Sequence, residues 1–280
     1  MFNVKQMSLE DVQFAVQITD TMNWNLTEKD FEFMMSLEPE GCFVLLYDLE
    51  RVGIATTVSF GKVGWIGNVV VNDKYRRKGA GSTLLRHAIN YLKSKMVDTV
   101  GLYSYKEAVN FYTRLGFRRE LEYTVLKGKA LSLPSGEANI KSLGENDVQK
   151  IIDFDSLYFG ASREKLLKKI ASIKGNLCCY CSENGEIFGY VMAKIYDHYA
   201  EIGPLVCKRE RGDVAEALLK RVLKELDGFE VSMCLQKREE YLVNMLLNAG
   251  FREEFPVVRM FSGPLVFRDC VYIAESLERG

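Results

Sequence analysis

The chain has 280 residues, 48% of them hydrophobic, which is long enough for two domains that each bury a core. Lys and Arg total 37 against 38 Asp and Glu, and a net charge of −1 excludes a broad electrostatic attraction to nucleic acid or to an anionic membrane. No apolar run reaches the roughly 18 residues of a spanning helix, the first twenty residues carry Lys5, Glu10 and Asp11 where a secretion signal would be apolar, and seven irregularly spaced cysteines argue for reduced thiols, so a soluble, cytoplasmic protein is expected.

In chain order, the first half reads as a short strand from about Phe2, helices near Leu9 to Ile18 and Thr27 to Leu37, and a hairpin of Cys42 to Tyr47 with Val52 to Phe60. In "MNWNLTEKD", Thr27 caps the second helix and Asp30 completes an approximate capping box. Capping does not account for the indole of Trp24, which with Asn25 is a candidate wall of an acceptor pocket, core packing being the alternative. Glu38 and Glu40 follow as loop carboxylates expected to be solvated. The run "WIGNVVV", Trp65 to Val71, predicts a buried strand. Leu84, Leu85, Ala88, Ile89 and Leu92 recur at helical spacing and predict a helix from Ser82 to about Lys95. A strand from Thr99 to Tyr103, a helix near Ala108 to Leu115 closed by Gly116, and a last strand complete a mixed α/β sheet with helices on both faces.

Between the buried strand and its helix lies "YRRKGAG". A helix start carries unpaired N–H groups and the positive end of the macrodipole, so a glycine turn there lets backbone donors close around an anion. The candidate anion-binding residues are Arg76, Arg77, Lys78, Gly79, Ala80, Gly81 and Ser82. A Gly-x-Gly before a helix is also a common tight turn.

The segment "KGKALSLPSGEA" breaks periodicity at Pro134, Ser135 and Gly136 and reads as a linker over 128–138, dividing a domain at 1–127 from one at 139–280. The second half repeats the first. "IGNVVV" at Ile66 meets "IGPLVC" at Ile202, 136 residues on, while "RLGFRRE" at Arg114 meets "NAGFREE" at Asn248, 134 residues on. The two missing residues fall in the glycine loop, where Gly79 becomes Asp213 and Gly81 becomes Ala215. A carboxylate there suits an N-cap that satisfies the helix internally and repels an anion. Tyr112, on the short helix of the first half, is replaced by Leu246 in the copy without glycines. The group Cys178, Cys179 and Cys181 has no second ligand pair, and His87 and His198 are remote, so no metal is expected.

These residues carry a family resemblance. "RRKGAG" resembles the Arg/Gln-x-x-Gly-x-Gly/Ala loop that holds the coenzyme A pyrophosphate in GNAT-family N-acetyltransferases, and "FYTRLGF" resembles their late Tyr-x-x-x-Gly-Phe signature. The whole chain is similar to the tandem GNAT group that includes YitH-like proteins, with a degenerate second GNAT-like domain. The resemblance implies two domains, each with a mixed, mostly antiparallel central sheet flanked by helices, and acetyl-CoA as co-substrate. It further implies a splayed strand whose backbone at Val69, Val70 and Val71 pairs with pantetheine and polarises the thioester, and Tyr112 as general acid to the departing thiolate in direct attack by a primary amine, that of a small molecule. Tyr105 stands about where many relatives carry an Asn for the pantetheine. The general base stays unassigned, and the second half is expected to shape the acceptor channel. A non-catalytic acyl-CoA sensor or scaffold, or a protein or peptide acetyltransferase, are the alternatives; neither nucleic acid nor membrane is an expected partner.

Overall fold

The computed structural model of the chain describes residues 1–134 and 139–280; residues 135–138 of the predicted linker lie outside the described residues. The first half runs β1 (Phe2–Gln6), α1 (Val12–Asp20), α2 (Glu28–Leu37), β2 (Cys42–Tyr47), β3 (Glu50–Phe60), β4 (Val63–Val71), α3 (Ala80–Ser94), β5 (Thr99–Tyr105), α4 (Val109–Thr113) and β6 (Arg118–Lys129). The second half repeats this order as β7 (Ile140–Ser142), α5 (Val148–Phe159), α6 (Glu164–Ser172), β8 (Leu177–Glu183), β9 (Glu186–Tyr196), β10 (Tyr199–Lys208), α7 (Gly212–Glu225), β11 (Glu230–Gln236), α8 (Glu240–Asn248) and β12 (Arg252–Ser262). A further strand, β13 (Cys270–Ile273), has no counterpart in the first half.

Local chemistry explains the element boundaries that matter to function. The Thr27 backbone N–H and hydroxyl both donate to the Asp30 carboxylate, at 2.8 and 2.7 Å, fixing the start of α2. Gly116, at φ +91°, ends the α4 region in the left-handed conformation that the sequence suggested. In β4 an irregularity sits where Gly67 faces Thr56 and Val70 faces Ile54. Asn68 takes up the extra residue with φ +51°. β10 has the same irregularity between Ile202 and Leu205, at the repeat-equivalent position.

The mixed sheet flanked by helices is present, but the two halves share it. Thirteen strands form one sheet in the order β1-β2-β3-β4-β5-β12-β6-β11-β13-β10-β9-β8-β7. The last strands of the repeats are exchanged. β12 pairs with β5 along Val257–Ser262, and β6 pairs with β11 along Tyr123–Lys129. β6 and β12 also pair with each other and join the halves. Around the junction, Trp65, Tyr123, Phe159, Phe261 and Tyr272 belong to one buried cluster containing residues of both halves.

In the first half, α3 packs on one face of the sheet through Leu84, Leu85 and Ala88 against Ile66 and Leu102. The opposite face carries α1 and α2 over Ile54 and Val70. Glu38, expected to be solvated, is instead only 7% exposed. Its carboxylate accepts from Lys165 Nζ of the second half (2.6 Å), the Tyr91 hydroxyl (2.6 Å) and the Ser59 N–H (2.9 Å). Burial opposes ionisation, but the Lys165 contact and these other donors win and hold its pKa below the ordinary carboxylate value. Glu40 stays at the surface, paired with Lys95 at 2.8 Å.

Candidate functional site

The site is built where β4 and β5 part. These parallel strands pair only from Val63 to Trp65 against Thr99 to Gly101. Beyond that point β5 continues against β12 and β4 continues against β3, leaving a cleft between them. The buried Trp65 ring crosses β5 where the strands part: a Cβ on Gly101 would lie 2.3 Å from Trp65 Cζ3, so only glycine lets the indole lie there.

Which backbone groups face the cleft follows from the antiparallel alternation of β3 and β4. The Asn72 N–H donates to the Val52 carbonyl at 2.8 Å, so Asn72 and Val70 direct their backbone groups toward β3, while Val69 and Val71 direct theirs toward the cleft. The Val71 carbonyl accepts from Arg76 Nε at 3.0 Å. Of the three valines read from the sequence, Val69 and Val71 therefore offer cleft-facing backbone, and Val70 contributes its side chain to the core under α1 and α2.

The glycine loop stands at the mouth of this cleft. Arg77 has φ +61° and Gly79 φ +88°, two left-handed residues bracketing Lys78. Alternation of this kind gathers successive N–H groups on one side, as in an anion-binding nest. α3 begins at Ala80 with Gly79 as an N-cap that offers no side chain, and its first backbone bond is Thr83 N–H to Gly79 O at 2.9 Å. Among the described residues, the N–H groups of Arg77, Lys78, Gly79, Ala80, Gly81 and Ser82 have no acceptor. Six adjacent unpaired donors stand at the positive end of a 15-residue helix, an arrangement that can hold an anion.

The cations divide. Arg76 is engaged, with Asp73 at 2.8 Å and the Val71 carbonyl, and it braces the loop. Arg77 and Lys78 are exposed and have no ion-pair partner among the described residues. Ala80 is fully buried against α3's neighbours. Gly81 faces α4: a Cβ there would meet Phe111 Cζ at 3.3 Å, so the second glycine lets the tyrosine-bearing helix approach the loop.

Tyr112, on α4, is 8% exposed and packs edge-on to Phe111 and Phe117. Burial pushes its phenol up to about 12, so it stays protonated at neutral pH and can donate a proton. Trp24 reaches across from the loop between α1 and α2, and its indole N–H donates to the Tyr105 hydroxyl at 2.9 Å. Asn25 is not brought to this group. It is exposed, with φ +53°, and its amide donates to the Asn23 carbonyl at 3.4 Å.

The equivalent cleft in the second half is filled. β10 and β11 pair in parallel only from Tyr199 to Glu201 against Glu230 to Ser232. Where they part, β13 enters and pairs Cys270–Ile273 with Leu205–Lys208. On the 136-residue register those residues match Val69 to Asn72. The helix start is changed as well. Asp213 lies one residue inside α7 and not at its N-cap, which is Arg211. Its carboxylate takes two bonds from the Arg211 guanidinium, at 3.0 Å each, because the side chain two positions back offers a stronger, charge-assisted donor than a backbone N–H.

Sequence reasoning missed three features of the site: the β13 plug, the Trp24–Tyr105 bond, and residues 275–280, which follow β13 and lie on β4. The signal for the first and third was the apolar stretch "CVYIA" beyond the end of the repeat. Among the described residues no cluster of His, Cys, Asp and Glu could hold a metal ion, and no helix is long and apolar enough to cross a membrane.

Two family models match the chain: one described as acetyltransferase (GNAT) family over residues 7–117, and one described as acetyltransferase (GNAT) domain over residues 151–269. The holothin acyltransferase of Pseudoalteromonas sp. (strain SANK 73390) is 25% identical, with 99% of this chain and 94% of that protein covered. The uncharacterized N-acetyltransferase YitH of Bacillus subtilis is 22% identical, with 70% and 68% covered. A solved protein of Pyrococcus horikoshii, assigned to the acetyltransferases, superposes with a TM-score of 0.80 at 22% identity, with 100% of this chain and 96% of that one covered, a likeness of fold.

Proposed function

Because the chain belongs to the GNAT acetyltransferase family, with two such domains in tandem, we propose that its first half transfers the acetyl group of acetyl-CoA to a primary amine. The observation that carries this reading is the run of six unpaired N–H groups at Arg77 to Ser82, set beyond the point where β4 and β5 part. The diphosphate of coenzyme A would lie on those donors, with Arg77 and Lys78 adding charge. Val69 and Val71 would offer backbone partners to the pantetheine, and their N–H groups are candidates to stabilise the oxyanion of the tetrahedral intermediate. Tyr112 would return a proton to the thiolate as the C–S bond breaks. The second half is proposed to be silent toward coenzyme A, since β13 fills its cleft and Arg211–Asp213 stands at its helix start.

A small amine suits the site better than a long polypeptide. Trp24 and residues 275–280 both cover the face from which the acceptor approaches.

The test is Tyr112→Phe. Its hydroxyl has no hydrogen-bond partner among the described residues, so stability should change by less than about 0.5 kcal/mol. Turnover should fall by about 10²-fold or more while acetyl-CoA affinity holds. Unchanged turnover would remove Tyr112 from the mechanism, and failure of the wild type to bind acetyl-CoA would remove the reading itself.

A further inference from the structure

We propose that Glu278, supplied by the second half, is the general base that takes a proton from the acceptor ammonium in the first-half cleft; this rests on the acyl-transfer reading above.

Position is the first argument. The Trp65 indole N–H donates to the Leu277 carbonyl at 3.2 Å, which sets residue 277 at the base of the cleft. One step along β4, a Cβ on Gly67 would lie 2.5 Å from Glu278 Cα. Glu278 therefore sits against the strand just where β4 has left β5, two residues before Val69. Trp65 and Gly67 point to the same face by strand alternation, and that face holds the Trp24–Tyr105 pair. The carboxylate is close enough to Tyr105 to raise its phenol, after burial and against the Trp24 bond.

Availability is the second. Neighbouring carboxylates are paired: Glu275 with Lys194 (2.5 Å) and Arg279 (2.7 Å), Glu201 with Lys194 (2.7 Å), and Glu38 with Lys165. Glu278 has no ion-pair partner among the described residues and remains partly exposed, so an acceptor can reach it. Burial raises its pKa, with Arg279 opposing and Glu201 adding, which moves it toward the range in which a base works near neutrality. The charged and titratable groups around it are Glu275 and Arg279 of its own segment, Lys194 on β9, Glu201 and Tyr199 on β10, Cys234 on β11 and Tyr105 on β5.

Rigidity is the third. The segment is pinned by Arg163 Nη1, which donates to the Gly280 carbonyl at 2.8 Å, and by the Arg279–Glu275–Lys194 network. A base held this way keeps its geometry between turnovers.

The proton account closes. An ammonium R–NH3⁺ gives one proton to Glu278, directly or through one water, and gains a lone pair. The amine nitrogen bonds to the thioester carbon, the C–S bond breaks, and the thiolate takes the Tyr112 proton. The second nitrogen proton restores the Tyr112 phenol, leaving the amide, and Glu278 releases its proton to solvent.

The experiment compares full-length wild type, Glu278→Gln and Glu278→Asp with two probe acceptors, ethylamine, which is protonated at pH 7.5, and methoxyamine, which is neutral there. Acetyl-CoA affinity is measured in parallel by calorimetry. The expected result is a loss of about 10²-fold or more in kcat/KM with ethylamine for Glu278→Gln, a smaller loss for Glu278→Asp, and a change under about 3-fold with methoxyamine. The acid limb of the ethylamine profile should vanish in Glu278→Gln. Equal losses with both acceptors, no loss with either, or acetylation of neither amine by a wild type that binds acetyl-CoA would each overturn the proposal. A wild type that does not bind acetyl-CoA would instead defeat the acyl-transfer reading.

Discussion

Replacing Gly79 by Asp and, separately, by Asn isolates the charge that the anion site must exclude. Gly79 has φ +88°, and a Cβ built there meets nothing within 4 Å. The structural cost is therefore the left-handed backbone alone, about 1–2 kcal/mol for an ordinary residue and less for Asn or Asp. Both variants carry that cost equally, so their difference in coenzyme A affinity reports the carboxylate. At a separation of roughly 7 Å and an effective dielectric of about 40, one unit pair is worth about 1.2 kcal/mol, and two phosphate charges double it. Salt screening halves this at physiological ionic strength, leaving about 1.2 kcal/mol, or roughly 8-fold in Kd. Calorimetry with coenzyme A should give Gly79→Asn close to the wild type and Gly79→Asp weaker by that factor, with a wider gap at lower salt. Equal affinities of the two variants would mean that no phosphate sits near this helix start.

Glu38→Gln, read by chemical unfolding, should cost about 1–3 kcal/mol at pH 7 through loss of the charge-assisted bonds to Lys165 and Tyr91, Lys165 being exposed enough to rehydrate. Because the folded pKa of Glu38 lies below its unfolded value, that contribution is complete above roughly pH 5 and is lost as pH falls through the folded value, so the gap between wild type and variant should narrow on acidification. Arg163→Met strands the fully buried Asp155, which now takes Arg163 bonds at 2.6 and 3.0 Å, and should cost about 3–5 kcal/mol in urea. The double variant Arg163→Met with Asp155→Leu should recover much of it.

The glycine turn was legible because its requirements are local: the left-handed Gly79 and a helix start without a capping side chain lie within a few residues of one another. Tyr112 stood out in the sequence because the repeat sets it against Leu246. The strand exchange was not legible, because β6 and β12 are repeat equivalents with similar edges, and the same pattern satisfies β5 whichever of them pairs with it. Glu38 was misread as solvated because its partners Tyr91 and Lys165 lie 53 and 127 residues away, beyond the reach of any periodicity. Asp213 was misread by two helical positions, since the choice between a backbone N–H and the Arg211 guanidinium depends on side-chain geometry.

The asymmetry of the two halves has a single structural origin. Both β4 and β10 keep the irregularity that turns their following backbone away from the parallel neighbour, at Gly67–Asn68 and at Gly203–Pro204. In the second half, β13 takes up the freed edge at Leu205–Lys208, and the approach is so close that a Cβ on Gly203 would lie 2.0 Å from the Ala274 carbonyl oxygen. Four residues later the same segment meets Gly67, the repeat equivalent of Gly203, through Glu278. One stretch of chain thus fills the second cleft with peptide and walls the first with a carboxylate. The same segment gives the sheet junction a rigid support, so the filling of the second cleft and the walling of the first are one packing event.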